Sequence, residues 1–375
     1  MNNEVKKLPE LDPKSYGPKK PEILDIAKHT QALNRVKFTE NGAYIDNISK
    51  INFGEWHECT HSGCMMLLME ALKIDMSYEY LMGVSGSCYR ASMAYDWDFG
   101  SNIVSIIYAL LGYGGDYYAH RACGLDYHNP INDDNRDEQV CESIHDGIPV
   151  LVLGGRNVPE WSILLGYEKT SSGIKFFGRS YFDNDAAEDE LFTENRYTLL
   201  NSYPGDGIIK IFTICDPISP KEALKASLET CVNFFKPHEK FGFGAYRKMI
   251  DSFKNNSYTS NLGNYHCEVV SSILINLADA RRAASIYLKG CLDLMSGENK
   301  DKLSQVTSLF SELFNILNAV INNPVCKFEN TPDFKFDVII NNVELRNHVA
   351  DELMKCMEIE HRIQDLVKEI LENWR

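Results

Sequence analysis

Residues Glu55–Ile74 read EWHECTHSGCMMLLMEALKI, a polar turn carrying a cysteine that gives way to a run of apolar helix formers. Met65, Leu68, Met69 and Leu72 fall at helical spacing. Met66, Leu67 and Ala71 widen the stripe, which predicts a helix over Cys64–Ile74 that is buried nearly all round, with Glu55–Gly63 as a turn before it. A cysteine in that setting has a chemical rationale. Unpaired N–H groups and the dipole at a helix start stabilise a thiolate and can bind an oxyanion.

Outward from this helix, the pattern changes period twice. Pro21–Val36 reads as a short helix, Ser101–Leu111 as a helix opened by a Ser cap and closed at Gly112, and Asp133–His145 as a third that ends before Gly147. Four short β-rich runs follow: Ile148–Leu153, Glu160–Glu168, Ile174–Gly178 and Gly207–Ile214. Helices followed by closely spaced strands imply an α+β domain with a mostly antiparallel sheet. Beyond Pro217 the strands stop. Lys221–Asn233, Gly244–Lys254, Gly263–Leu294, Lys300–Ile321 and Val343–Trp374 all read as helices, with PISP at 217–220 and Gly297–Asn299 as breaks. The expected organisation is an extended arm over 1–22, an α+β domain over 23–216 and an all-helical domain over 217–375, in which Asn322–Asp337 is a loop. The long helices have apolar faces wide enough to pack on one another or on a partner helix, which leaves the oligomeric state open.

Composition narrows the function. The chain has 375 residues, 44% hydrophobic and 24% charged, enough for a large core. Its formal net charge of −15 repels phosphate backbones, so no nucleic-acid partner is expected. No apolar run approaches the roughly 18 residues of a membrane span, and the first residues lack the apolar core of a secretory signal, so no membrane partner is expected. Eleven scattered cysteines without a CxxC pair argue against a disulfide framework and against zinc, and fit a reducing cytoplasm. No cofactor is expected.

The order of Cys59, buried helix, further helices and sheet matches that of papain-like cysteine enzymes. In those enzymes the nucleophile opens the first long buried helix and a later strand presents a histidine base. The strand frame is also present: Pro149-Val150-Leu151-Val152-Leu153, a turn, then Glu160-Trp161-Ser162-Ile163-Leu164-Leu165-Gly166-Tyr167, with Glu160 or Trp161 where the histidine would stand. Together with Glu58-Cys59-Thr60, the string Tyr78–Gly86 (YEYLMGVSG) and Pro159-Glu160, this frame resembles a group of bacterial proteins. The group is similar to the N-terminal domain of the butirosin-biosynthesis acyltransferase family and more distantly to the double-glycine cysteine peptidases. The resemblance covers Glu55–Ile214 well and the helical half weakly. It implies a papain-like fold and a cysteine that accepts and transfers an acyl group or cleaves an amide. Cys59 alone carries over onto a matching position.

The site expected from these residues has Cys59 as nucleophile, with Glu160 or a histidine as its base. N–H groups of Thr60–Ser62 would supply an oxyanion site. His57 and His61, two residues either side of Cys59, and His266, on a helix of the second half, are candidate bases or ligand contacts. Glu58 and Glu160 form a carboxylate pair able to supply an acid and a base, or to hold an amine. Thr60, Ser85 of the Gly-rich string and Trp161 are candidate ligand contacts. Tyr95–Phe99 and the acidic stretch Asp183–Glu190 read as surface loops, and Arg281-Arg282 as an exposed pair engaged in salt bridges. The reading is a cysteine-dependent acyltransferase or amide hydrolase for a small molecule or peptide-like metabolite, with an acyl carrier as a further partner. The alternative is a non-catalytic ligand- or carrier-binding protein on a degenerate papain-like fold.

Overall fold

A computed structural model describes residues 33–52, 54, 56–93, 115–130, 134–156, 160–200, 208–257, 266–322 and 342–374. The expected arm at 1–22, the helix at 101–111, the loop at 95–99 and most of the helix at 21–36 and of the loop at 322–337 lie outside them.

The fold is α+β with an antiparallel sheet. Nine strands are seen among the described residues: β1 Val36–Phe38, β2 Gly42–Ile45, β3 Leu125–His128, β4 Val150–Leu153, β5 Trp161–Thr170, β6 Gly173–Ser180, β7 Leu191–Phe192, β8 Tyr197–Leu199 and β9 Ile209–Ile214. They pair in the order β3-β9-β4-β5-β6-β8-β7. The long β5 is the spine. Its first half pairs with β4, its second half with β2, and its whole length with β6, across a bulge at Leu164/Gly166. The register sets which side chains share a face. Lys210 lies opposite Leu151 and Leu151 opposite Ile163, so Lys210, Ile163 and Trp161 project the same way. The hairpin β1–β2 and the strands β3, β7 and β8 were not anticipated; each is no more than four residues long, too short for a clear alternation.

Helix α1, Thr60–Ala71, packs on β5. It starts at Thr60, four residues before the start expected from the apolar stripe. Thr60, His61, Ser62 and Gly63 form its first turn, and Cys59 is its N-cap. The polar residues there look like a turn in sequence because a buried first turn needs no apolar periodicity when other elements satisfy it. Helix α2, Tyr78–Val84, is capped by the Ser77 hydroxyl, which accepts from the Tyr80 N–H. Then come α3, Gly115–Ala122, and α4, Arg136–His145.

The remaining helices are α5 Pro220–Phe234, α6 Phe243–Asn255, α7 His266–Cys291, α8 Gly297–Ile321 and α9 Val343–Glu372. The PISP break is itself a start signal: Ser219 and Glu222 form a capping box around Pro220 at the first position of α5. Helices α7, α8 and α9 pack in series, and α9 also covers α5 and α6. Helix α7 lies on α2 and on the 3-10 turn Ser87–Tyr89, so one apolar core runs through both halves. The approach is close at Gly83, where a Cβ would stand 2.0 Å from the Tyr287 ring. The glycines of the YEYLMGVSG string therefore serve helix packing.

Candidate functional site around Cys59

Cys59 sits at the N-terminus of α1 in extended conformation (φ −104°, ψ 103°), and its side chain makes no capping hydrogen bond. The first intrahelical bond runs from the Gly63 N–H to the Cys59 carbonyl at 2.9 Å. The N–H groups of Thr60, His61 and Ser62 thus lack acceptors within the helix, as first-turn amides do. The sulfur-bearing residue is 7% exposed.

The turn leading to Cys59 is fixed from α2 and α7. The Cys59 N–H donates to the Tyr78 hydroxyl at 2.9 Å, and that hydroxyl donates to Asp279 Oδ2 at 2.7 Å. The same carboxylate oxygen accepts the Glu58 N–H at 3.2 Å. Arg282 holds the other side of Asp279 at 3.2 Å, pairs with Glu79 at 2.8 Å and donates to the Trp56 carbonyl at 2.7 Å. Trp56 has φ 70°, a left-handed conformation that costs a non-glycine residue about 1–3 kcal/mol. The bond from Arg282 and the packing of the indole edge-on to Phe314, with ring centroids 5.1 Å apart, hold it there. The expectation that Arg281 and Arg282 are exposed is overturned: they are 0% and 3% exposed, and both are paired inside the core.

Glu160, immediately before β5, comes to the same place. Its Oε2 accepts the Thr60 hydroxyl at 2.6 Å, while Thr60 Oγ1 accepts the Trp161 N–H at 3.3 Å. One hydroxyl therefore ties the first residue of α1 to the start of β5, a hundred residues on. Burial raises the Glu160 carboxyl above its ordinary range, against the Thr60 hydrogen bond and the charge of Arg90, which lower it. The Glu58 carboxyl is pushed up to about 7 by burial and by the neighbouring Asp279, with Arg90 and Arg282 opposing. Burial thus raises two carboxyls, one on the residue before Cys59 and one bonded to the residue after it.

Arg90 completes the cluster. It is 4% exposed and donates to Asn276 Oδ1 at 2.5 Å, while its Nε has no hydrogen-bond partner. Burial works against its charge, but Cys59, Tyr78, Asp279 and Glu58 around it more than compensate and raise its pKa. Its guanidinium therefore lies within electrostatic reach of Cys59.

The other expected residues divide between the margin of this cluster and the core. The His57 ring lies edge-on to Tyr78, centroids 4.5 Å apart, with Nδ1 3.3 Å from the Asn52 amide nitrogen. The His61 ring turns to Trp161 at 5.0 Å and to His120 at 5.7 Å. Trp161 is 3% exposed and sits under the sheet-facing side of α1. Ser85 is buried and bonds the Met82 carbonyl and Ser87 inside the helix packing, so the structure does not bring it to the crevice. His266 opens α7, and the part of that helix that meets Cys59 is Asn276–Arg282. Asp279 lies thirteen residues on, about 20 Å along the axis at 1.5 Å per residue, which separates the first turn of α7 from the crevice.

Tyr78, Arg90, Asp279 and Arg282 were missed by the sequence reading. The available signal was an Asp and an Arg three apart within the long amphipathic helix, a spacing that reads equally as an exposed ion pair. No group of three or more metal-ligating side chains is found among the described residues. Among them no helix is long and apolar enough to cross a membrane. No family model, curated protein or solved structure matches the chain.

Proposed function

We propose that the chain is a cysteine-dependent acyltransferase or amide hydrolase on a papain-like fold, acting on a small molecule or peptide-like metabolite, with an acyl carrier as a further partner. One observation supports this above the rest. Cys59 caps a buried helix whose next residue hydrogen-bonds Glu160 at the start of β5. That bond ties the residue beside the thiol to a carboxyl raised by burial, which suits a nucleophile with a carboxylate base.

In this reading the thiol proton passes to Glu160 and the Cys59 sulfur bonds the acyl carbon. The first-turn N–H groups receive the oxyanion. The bond from that carbon to the leaving nitrogen, oxygen or sulfur breaks, and the leaving group takes the proton back. An amine or water then attacks the thioester, its proton moves by the same carboxylate, and the thiol is regenerated. Arg90 places a positive charge near the developing negative charge, and Glu58 offers a second carboxyl for an incoming amine. The test is acylation by an activated ester, read by peptide mass. The label should fall on Cys59 well before the other cysteines, and Glu160→Gln should slow it about tenfold or more, within the range of general-base effects. Equal labelling of several cysteines, or none at Cys59, sinks the reading.

The alternative, a ligand- or carrier-binding protein on a degenerate papain-like fold, draws on a different observation. The histidines nearest Cys59 in sequence present their rings to Tyr78, Trp161 and His120. On that alternative, Cys59→Ser leaves the affinity for ligand or carrier intact while Glu160→Gln weakens it.

A further inference from the structure

His120, on α3, is completely buried, and neither of its ring nitrogens has a hydrogen-bond partner. Whichever tautomer it adopts, one nitrogen is a donor and the other an acceptor, and both have lost water. Rings surround it: Tyr127 at 4.8 Å, Phe212 at 5.1 Å and His61 at 5.7 Å between centroids. Buried polar groups left unmatched in this way call for an explanation. Burial first, then the charges of Lys210 and His61, hold the ring neutral.

A buried cation stands beside it. Lys210, on β9, is 2% exposed, and its Nζ lies 4.9 Å over the Tyr127 ring and 4.8 Å over the Trp161 ring. The sheet register projects Lys210 to the same side as Trp161, against which His61 of α1 packs. Donor-capable imidazoles and an ammonium therefore converge between aromatic walls, next to the first turn of α1. The described residues supply no set of ligands for a metal ion. A small anion, by contrast, would accept from the His120 N–H within the attraction of the Lys210 ammonium.

We propose that His120, Lys210 and His61 form a binding site for a small oxyanion, a carboxylate or a phosphate, walled by Trp161 and Tyr127. The site goes beyond the acyl-transfer reading and requires no reaction at Cys59. Its place beside Trp161 and Thr60 suits it to anchor an acidic group on a molecule whose other end reaches the Cys59 crevice.

The full chain is titrated at pH 7 with sodium acetate and, separately, with sodium phosphate, at ionic strength held constant with sodium chloride. Binding is read by calorimetry and by the histidine ring resonances, that of His120 being assigned with His120→Gln. At least one anion should saturate the wild type and move the His120 resonance with the same midpoint, and which anion does so distinguishes carboxylate from phosphate. Lys210→Met, which keeps the length of the chain and removes its charge, should weaken that binding at least tenfold. If Lys210→Met does not fold, the His120 resonance in the wild type decides alone. The proposal is overturned if neither anion saturates, if the His120 resonance stays still while binding proceeds, or if Lys210→Met binds within twofold of the wild type.

Discussion

Arg281 and Arg282 are neighbours on α7 and both are buried, yet they anchor two unlike regions. Arg281 pairs with Glu360 of α9 at 2.5 Å, both fully buried, and donates to the carbonyls of Cys88 and Arg90. Tyr246 adds a bond to the same carboxylate. Its carboxylate partner belongs to the packing of helices, and its carbonyl partners lie at and just after the turn Ser87–Tyr89, where the two regions adjoin. Arg282 instead reaches Glu79, Asp279 and the carbonyl of a backbone-strained Trp56, and so holds the turn that delivers Cys59. Around this second cluster lie two carboxyls raised by burial and an arginine with an unpartnered Nε. Buried charge alone therefore does not mark a site. Unmatched polar atoms do not either, since Arg281 and Glu360 each keep one; what the second region adds is the strained backbone of Trp56 beside a thiol.

The largest effect expected falls on the first cluster. Glu360→Gln leaves Arg281 without a counter-charge, and breaking a buried pair costs about 3–5 kcal/mol. Urea unfolding should show that loss, while the rate of Cys59 alkylation in the folded protein stays within twofold of the wild type. A large change in alkylation rate would mean that the two clusters act as one. The converse experiment is Arg90→Met. Removing the cation that faces Cys59 should slow alkylation at pH 7 about tenfold, because the attacking sulfur loses its neighbouring positive charge. Arg90→Lys should recover part of the rate, which a merely structural role of Arg90 does not predict.

The same contrast explains what could be read from the chain. The four main strands announce themselves as short apolar runs, because most of their residues are buried on both faces, and the helices beyond Pro217 by period. The approach of the start of α1 to residue 160 was also legible, because a cysteine at a helix start and a strand opened by Pro-Glu are local signals, and the contact observed is the Thr60–Glu160 bond. The ring directions of His57 and His61 were not legible, since the start of α1 shifted by four residues and a helix turns each residue by about 100°. Arg90, Tyr78 and Asp279 act through contacts up to 221 residues apart in sequence, and no local pattern encodes a pairing of that range.

A smaller effect separates the clusters by pH. The Glu58 carboxyl is raised to about 7 from an ordinary 4.5, so ionising it in the folded chain costs stability. That cost is absent below pH 4.5, grows as pH rises, and is complete above about pH 7. Glu58→Gln carries no such cost. It should be more stable than the wild type by about 1 kcal/mol at pH 8, after discounting for partial exposure, and equal to it at pH 4. A constant difference across that range would show that Glu58 does not ionise against Asp279.

The smallest effect expected is at Thr60, where a single hydroxyl joins the two halves of the crevice. Thr60→Val keeps the shape of the side chain and removes both its bond to Glu160 and its acceptance of the Trp161 N–H. The net loss should be about 1 kcal/mol, because the Glu160 carboxyl is part-exposed and regains water, while the backbone N–H does so less readily. Losing that donated hydrogen bond also takes away an influence that lowers the Glu160 carboxyl. In Thr60→Val, then, the carboxyl should hold its proton to higher pH. If Glu160 is the base for Cys59, acylation in this variant should need a higher pH than in the wild type, while its rate well above neutrality recovers. A pH profile that does not move would detach Glu160 from the thiol and leave the crevice to binding alone.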